Sequence, residues 1–325
     1  MTRGALTAQP APQAADVSVV IPSFNAGLFL YRAIKSVVEQ SVQVAEILVV
    51  DDASTDGSIE KAEAYFPQIT VLRLSRNAGV SAARNLGAEK AKAGWLAFLD
   101  ADDSWLPDKI KAQMSALERS GAALSLGGFL DMRDTTRTWG RPFPPGAFHR
   151  LLHYPVALCA STLLVRRALF IDSGGYNASL RRGEDIEFYY RLALTRPRCC
   201  YLHAPLARYH HDNPACLTSG DAQSLAFSEL KTLLQAHALK QSDSALEPVL
   251  TAATRHFRTK AYAMMAQGLA ADVAVEDLRR HGDRAQLGVL KRIARLPRRL
   301  RSATARVAIL PTRYRQGRLK LWPAA

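Results

Sequence analysis

The chain has 325 residues, 48% of them apolar, enough to bury a large core in one domain or two. No stretch approaches the roughly 20 apolar residues that cross a bilayer, and the Ala/Pro/Gln-rich start lacks the apolar segment of a secretory signal. The net charge of +14 is concentrated at one end: from Lys291 onward there are 11 Lys and Arg and no acid, leaving about +3 elsewhere, which disfavours a basic nucleic-acid-binding surface spread over the fold.

Residues 1–15 are expected to be disordered. Asp16 to Pro22 reads as an apolar strand stopped by proline, and Ser23 to Gly27 as a turn. Leu28, Ala33, Ile34, Val37 and Val38 then fall at helical spacing. Glu46 to Val50 is a second strand, ending in the acid-rich Asp51-Asp52-Ala53-Ser54-Thr55-Asp56-Gly57. Ser58 to Phe66 reads as a short helix and Ile69 to Leu74 as a third strand. Asn77 to Lys92 opens as a turn and continues as a helix carrying Arg84 and Asn85. Trp95 to Leu99 has the length and apolar continuity of a strand buried on both faces. Asp100-Ala101-Asp102-Asp103 follows it, then a helix over Pro107 to Arg119. Strands alternating with helices across short loops imply βαβ units and an α/β, Rossmann-like, mostly parallel sheet flanked by helices.

The pattern then loosens. Gly121 to Asp131 reads as a strand pair or a strand with a glycine break, and Arg137 to Pro145 as a loop. Cys159 to Val165 is apolar, and Ile171 to Tyr176 carries a Gly174-Gly175 turn. Ile186, Tyr189, Tyr190 and Ala193 make one helical face, and Tyr201 to Leu206 a short strand. From Gly220 onward apolar residues again recur at helical spacing. The expected organisation is a disordered start over 1–15, an α/β domain over 16–218, a helical subdomain over 219–290 and a basic tail over 291–325. Cys159, Cys199, Cys200 and Cys216 have no zinc-like spacing and suit a reducing cytoplasm better than a disulfide framework.

Strand ends of a parallel sheet share one edge, where open α/β sheets bind ligands. Two of these strands end in paired acids. On an extended chain residues two apart face one side, so Asp100 and Asp102 are expected to converge while Asp103 turns away. Converging carboxylates repel unless a hard cation joins them, and oxygen ligands suit Mg²⁺ or Mn²⁺. The competing reading is that they cap the next helix. Asp51 and Asp52 could accept hydrogen bonds from a base or ribose, or cap a helix as Asp56 could. Glu184 and Asp185 sit at a helix N-terminus, as partners of its dipole or with one carboxylate as a general base. His210 and His211 are either structural or contacts for a cation or phosphate. No G-x-G-x-x-G or Walker glycine-lysine loop follows the first strand, which disfavours a dinucleotide fold or a P-loop.

Several stretches taken together are more specific. Val17 to Asn25, Ile47 to Ser58, Asn77 to Gly87, Phe98 to Asp103, Gly174-Gly175-Tyr176 and Gly183-Glu184-Asp185 resemble, in order and separation, family 2 glycosyltransferases with the GT-A fold. Phe24 stands where tyrosine is usual and Ala53 where glycine is usual. The Gln-x-x-Arg-Trp motif of the processive members is absent, as are their membrane helices, so a product-extruding polymerase is disfavoured.

The resemblance implies an inverting, metal-dependent glycosyltransferase. It would move a sugar from a nucleotide-diphosphate sugar, a UDP-sugar first of all, to a saccharide or lipid-linked acceptor in cell-surface polysaccharide or glycolipid assembly. Pro22, Phe24, Asn25, Asp52 and Asp51 would line the base and ribose site, and Arg84 would face the phosphates. Asp100 and Asp102 would form the D-x-D motif, with Asp102 the metal ligand for Mn²⁺ or Mg²⁺ and Asp100 nearer the ribose. Asp185 would be the general base, and His211 a further metal or diphosphate contact. The basic tail would rest on an anionic membrane surface from the cytoplasmic side. A sugar-phosphate nucleotidyltransferase, the alternative enzyme, needs a glycine-rich, arginine-bearing loop where this chain has Pro22-Ser23-Phe24-Asn25. A basic nucleic-acid-binding protein is the non-enzymatic alternative.

Overall fold

A computed structural model describes residues 14–140, 148, 158–180 and 184–213. The expected helical subdomain, the basic tail and nearly all of the expected disordered start lie outside these residues, as do Arg181–Gly183 and residues 141–147. The chain divides into two compact units. The first, Met1–Phe148, Val156–Arg181 and Thr195–Cys216, holds the sheet. The second comprises His149–Pro155, Arg182–Leu194 and Leu217–Ala325, and its described part is one helix.

In the first unit β1 (Ala15–Ser23), α1 (Gly27–Val38), β2 (Val44–Asp51), α2 (Ser58–Tyr65), β3 (Ile69–Arg73), α3 (Val80–Lys90) and β4 (Trp95–Phe98) alternate. β2 and β4 flank β1 in parallel, and β3 joins β2 in parallel. Val17, Val19 and Ile21 are wholly buried and share a core with Leu30, Ala33, Ile34 and Val37 of α1. The opposite face of β1 meets α3, where Gly87 allows close approach: a Cβ there would lie 2.4 Å from Val20 Cγ1. This two-sided burial explains why these strands read as continuous apolar runs.

The rest of the unit adds β5 (Ser104–Trp105), α4 (Lys109–Ser120), β6 (Leu124–Asp131), β7 (Asp134–Trp139), a 3₁₀ turn Ala160–Thr162, β8 (Leu164–Arg166), α5 (Arg167–Asp172) and β9 (Cys199–Tyr209). Among the described residues the strand order is β3-β2-β1-β4-β8-β6-β9-β5, with β7 against β6. The sheet is parallel through β4 and mixed beyond, since β8 runs antiparallel to both β4 and β6 while β9 is parallel to β6. The glycines of β6 make an irregularity in pairing with β9, not a break. A Cβ at Gly127 would meet Leu206, and one at Gly128 would meet Thr138. β9 continues past the expected strand end at Leu206, which brings Tyr209 opposite Asp131. In the second unit α6 spans Glu184–Leu194 and begins with Glu184, Asp185 and Glu187 in its first turn. Among the described residues no helix is long and apolar enough to cross a membrane.

Cys159, Cys199 and Cys200 are buried free thiols. Lys109, at the start of α4, is also wholly buried; its Nζ lies 4.0 Å from the centre of the Trp105 ring and has no hydrogen-bond partner among the described residues. Burial pulls its ammonium down to about 7, against a small opposing pull from Cys159. The unfolded chain therefore binds the extra proton between about pH 7 and the ordinary lysine range, so stability should rise with pH across that window. Lys109→Met replaces the buried amine by an apolar group of similar length. It should raise stability at pH 7 by about 1 kcal/mol and flatten the rise toward pH 10, as read by urea unfolding at each pH.

Candidate functional site

The ends of β1 and β2 lie side by side, with Ser23 opposite Asp51. Their loops are stitched by side chains. The Asn25 N–H donates to Ser54 Oγ at 3.0 Å, and Asn25 Oδ1 accepts the Thr55 N–H at 2.8 Å. Asp56 accepts the Gly27 N–H at 2.9 Å with one oxygen, and the Ser58 N–H and hydroxyl with the other. Partial burial opposes its charge, yet the bonds from Ser58 and Gly27 outweigh that and hold its carboxyl below the ordinary value. Asp56 is thus a structural tie between the two loops. Pro22 is buried in β1, while Phe24 beyond it is 48% exposed.

Both acids of the Asp51-Asp52 pair are buried. Asp51 Oδ1 accepts the Ser54 N–H at 2.8 Å. Asp52 accepts the Ala78 N–H at 2.6 Å and the Gly79 N–H at 2.8 Å, one on each oxygen. It therefore clamps the loop leading into α3. Ala53 between these acids and Ser54 has φ +64°, the left-handed region that costs a residue with a Cβ on the order of 1–2 kcal/mol.

Arg84 of α3 is buried to 3% exposure; its guanidinium donates to Asp100 Oδ1 at 2.5 Å and lies 5.0 Å from the Tyr176 ring. The next residue, Asn85, donates to the Tyr176 carbonyl at 2.7 Å and accepts the Tyr176 N–H at 2.8 Å. The Gly-Gly-Tyr turn is thereby docked on α3. Gly175 has φ +62°, and a Cβ there would fall 2.6 Å from Asn85 Oδ1, so the position demands glycine.

Asp100 to Asp103 is a turn, closed by the Asp103 N–H donating to the Asp100 carbonyl at 3.0 Å. The alternation expected of an extended chain does not hold here, because β4 ends at Phe98. The three acids have separate surroundings. Asp100 meets Arg84. Asp103 is wholly buried, accepting Ser161 Oγ–H at 2.6 Å and the His210 N–H at 3.1 Å. Burial, then the Asp100 charge, pushes its carboxyl well above the usual range. Asp102 is half-buried; its Oδ2 accepts from Asn213 Nδ2 at 3.1 Å, and its carbonyl accepts from Arg32 at 2.6 Å. None of these acids makes a side-chain cap for α4, which starts after Asp108.

His210 and His211 also differ. His210 Nε2 lies 3.0 Å from Ser104 Oγ, and burial, then the Arg32 charge, pulls its imidazole down to about 4. His211 Nε2 lies 2.9 Å from Asp131 Oδ1. Arg133 bonds the same carboxylate and, ahead of opposing burial, holds it at about 2. Among the described residues no three His, Cys, Asp or Glu side chains gather as a metal-binding group. The donor set at the edge is nonetheless carboxylate oxygen, the class that Mg²⁺ and Mn²⁺ take with one or two protein ligands and substrate phosphates completing the shell. The structure thus brings Asp51, Asp52, Arg84, Asp100 and Asp102 to the β1, β2 and β4 end of one unit. Asp185 lies in the second unit, half-buried in the first turn of α6. Arg32, Ser161, Asp131 and Asn213 had no sequence signal, since their partners are distant along the chain.

Residues 18–173 match the model of glycosyl transferase family 2. Over these residues, just under half of its length, the chain carries a glycosyl transferase family 2 domain. TuaG of Bacillus subtilis, a glycosyltransferase named for teichuronic acid biosynthesis, is 37% identical over 116 residues, 35% of this chain and 46% of that one. A Mycobacterium tuberculosis PGL/p-HBAD biosynthesis glycosyltransferase is 29% identical over 224 residues, 67% of this chain and 85% of that one. The chain spans less than two thirds of the first curated relatives it matches, 46% of TuaG and 61% of a Haemophilus influenzae glycosyltransferase. Among solved structures, S. aureus TarS 1–349 in complex with UDP aligns over 95% of this chain and 94% of its own, with TM-score 0.63 and 17% identity. That likeness shows the family's GT-A, mixed α/β fold.

Ala53→Gly removes the left-handed strain between Asp52 and Ser54. It should raise stability by about 1 kcal/mol, read as a higher urea midpoint with an unchanged slope.

Proposed function

We propose that the protein transfers a sugar, with inversion, from a UDP-sugar to a hydroxyl of a saccharide or lipid-linked acceptor in cell-surface polysaccharide or glycolipid assembly. The observation that carries this reading is the pairing of buried Arg84 with half-buried Asp100 at the sheet edge, beside the loops held by Asn25, Asp51 and Asp52. The family match supports it. So do TarS structures with UDP and UDP-GlcNAc and a relative named for teichuronic acid biosynthesis.

In this reading the half-exposed Phe24 and the Asp51 carboxylate take the base and ribose, while Asp52, whose two oxygens hold the Ala78 and Gly79 amides, shapes the loop beneath them with Pro22 and Asn25. Arg84 holds Asp100 at the ribose side and adds positive potential toward the departing diphosphate. Asp102 would hold Mn²⁺ or Mg²⁺, with donor phosphates completing the shell. When bound, that cation supplies Lewis-acid neutralisation of leaving-group charge. Asp185 takes the proton of the acceptor hydroxyl as its oxygen attacks the anomeric carbon. A carboxylate base acting on a face opposite the leaving diphosphate inverts the configuration without a covalent intermediate. Proton transfer of this kind contributes about 10²–10⁴-fold. His211 faces Asp131 and would contribute to the cation or diphosphate only by exchanging that partner.

A panel of UDP-sugars with Mn²⁺, tested for turnover and thermal stabilisation, checks the reading. Asp185→Asn should lower turnover by about 10²–10⁴-fold with little change in donor affinity. Equal loss of both would remove Asp185 from base catalysis. Asp102→Ala should abolish the gain in donor affinity that Mn²⁺ brings; a retained gain would place the cation elsewhere.

A further inference from the structure

The four residues after β9 are each tied down near the Asp100–Asp103 turn or the adjoining end of β6. The His210 N–H bonds Asp103, and its ring meets Ser104. His211 meets Asp131. Asn213 donates to Asp102 Oδ2. Asp212 is gripped by Arg32 of α1, whose two terminal nitrogens reach its two oxygens at 2.6 and 3.0 Å. The nitrogen at 3.0 Å also donates to the Asp102 backbone carbonyl at 2.6 Å. One guanidinium therefore joins the segment after β9 to the turn that bears the D-x-D acids. The Phe29 ring, 5.3 Å away, flanks it. The same contact, ahead of opposing burial, holds the Asp212 carboxyl below its ordinary value.

An exposed ion pair of one contact is worth little. A planar fork that binds a carboxylate bidentately and a carbonyl at once is different, because it fixes direction as well as proximity. The carbonyl it holds belongs to the peptide just after the Asp102 Cα, so the grip sets how that residue presents its carboxylate. On the far side of the turn, Arg84 holds Asp100. The turn is thus pinned from both ends by arginines of different helices.

We propose that Arg32 is a positioning residue: with Asp212 it locks residues 210–213 over the turn and fixes the Asp102 carboxylate in the direction that donor binding requires. The proposal rests on the glycosyltransferase reading for the identity of the donor. Its test is UDP binding to the full chain by calorimetry, with and without Mn²⁺, alongside amide hydrogen exchange of residues 207–213. Arg32→Ala and Asp212→Asn should each weaken Mn²⁺-dependent UDP binding about tenfold, the scale of one charge-assisted hydrogen bond, and leave metal-free binding within about twofold. Exchange of the segment should accelerate while the global unfolding midpoint holds. Arg32→Lys should resemble Arg32→Ala, since the lysine side chain has a single nitrogen and lacks the planar fork that grips both Asp212 oxygens while holding the Asp102 carbonyl. Unchanged Mn²⁺-dependent affinity, equal loss with and without Mn²⁺, or full rescue by lysine would overturn the positioning role. Wild-type protein that binds no UDP in either condition would defeat the donor reading itself, and this proposal with it.

Discussion

A guanidinium stays charged inside a protein, so burying Arg84 constrains everything around it. Its charge is met by Asp100 at 2.5 Å and its plane by the Tyr176 ring. Removing the Asp100 carboxylate takes a charge-assisted hydrogen bond from that buried guanidinium, worth roughly 1.5–3 kcal/mol. The pair therefore couples α3, the end of β4 and the Gly-Gly-Tyr turn into one rigid corner. Asn85 reinforces it through both backbone groups of Tyr176. Gly175 permits it by leaving room for Asn85 Oδ1.

Around that corner the acids divide their work. Asp52 and Asp56 spend their oxygens on backbone amides, each tying a loop to a neighbouring one. Asp103 points into the core and is satisfied by Ser161 and His210. A cluster that looks uniformly acidic along the chain is thus part framework. Asp102, at the half-buried apex of its turn, is steered by Arg32 and Asn213.

Both ends of this arrangement depend on sheet topology. Parallel β1, β2 and β4 deliver their following loops to one edge. The mixed half of the sheet brings a second set of residues to the turn, because β9 runs parallel to β6 and carries its last residues past Asp131 to Ser104 and Asp103. Without that long strand the segment 210–213 would have no path to the turn.

Apolar runs and helical spacing were sufficient to read β1, β2, β4, α1 and the βαβ order, because two-sided burial and amphipathic faces are periodic along the chain. Motif order was sufficient to read the family. Periodicity could not show that Asp100–Asp103 forms a turn, that β6 runs on through its glycines, or which acid each donor would claim. Ala78 reaches Asp52 across 26 residues, Ser161 reaches Asp103 across 58, and Asn213 reaches Asp102 across 111. Hydrogen-bond partners are chosen by proximity in space, and proximity at such separations exists only once the sheet has closed. Local pattern therefore determined which elements form and to which family they belong. Tertiary packing alone decided which carboxylates became framework and how the turn that bears the others is held.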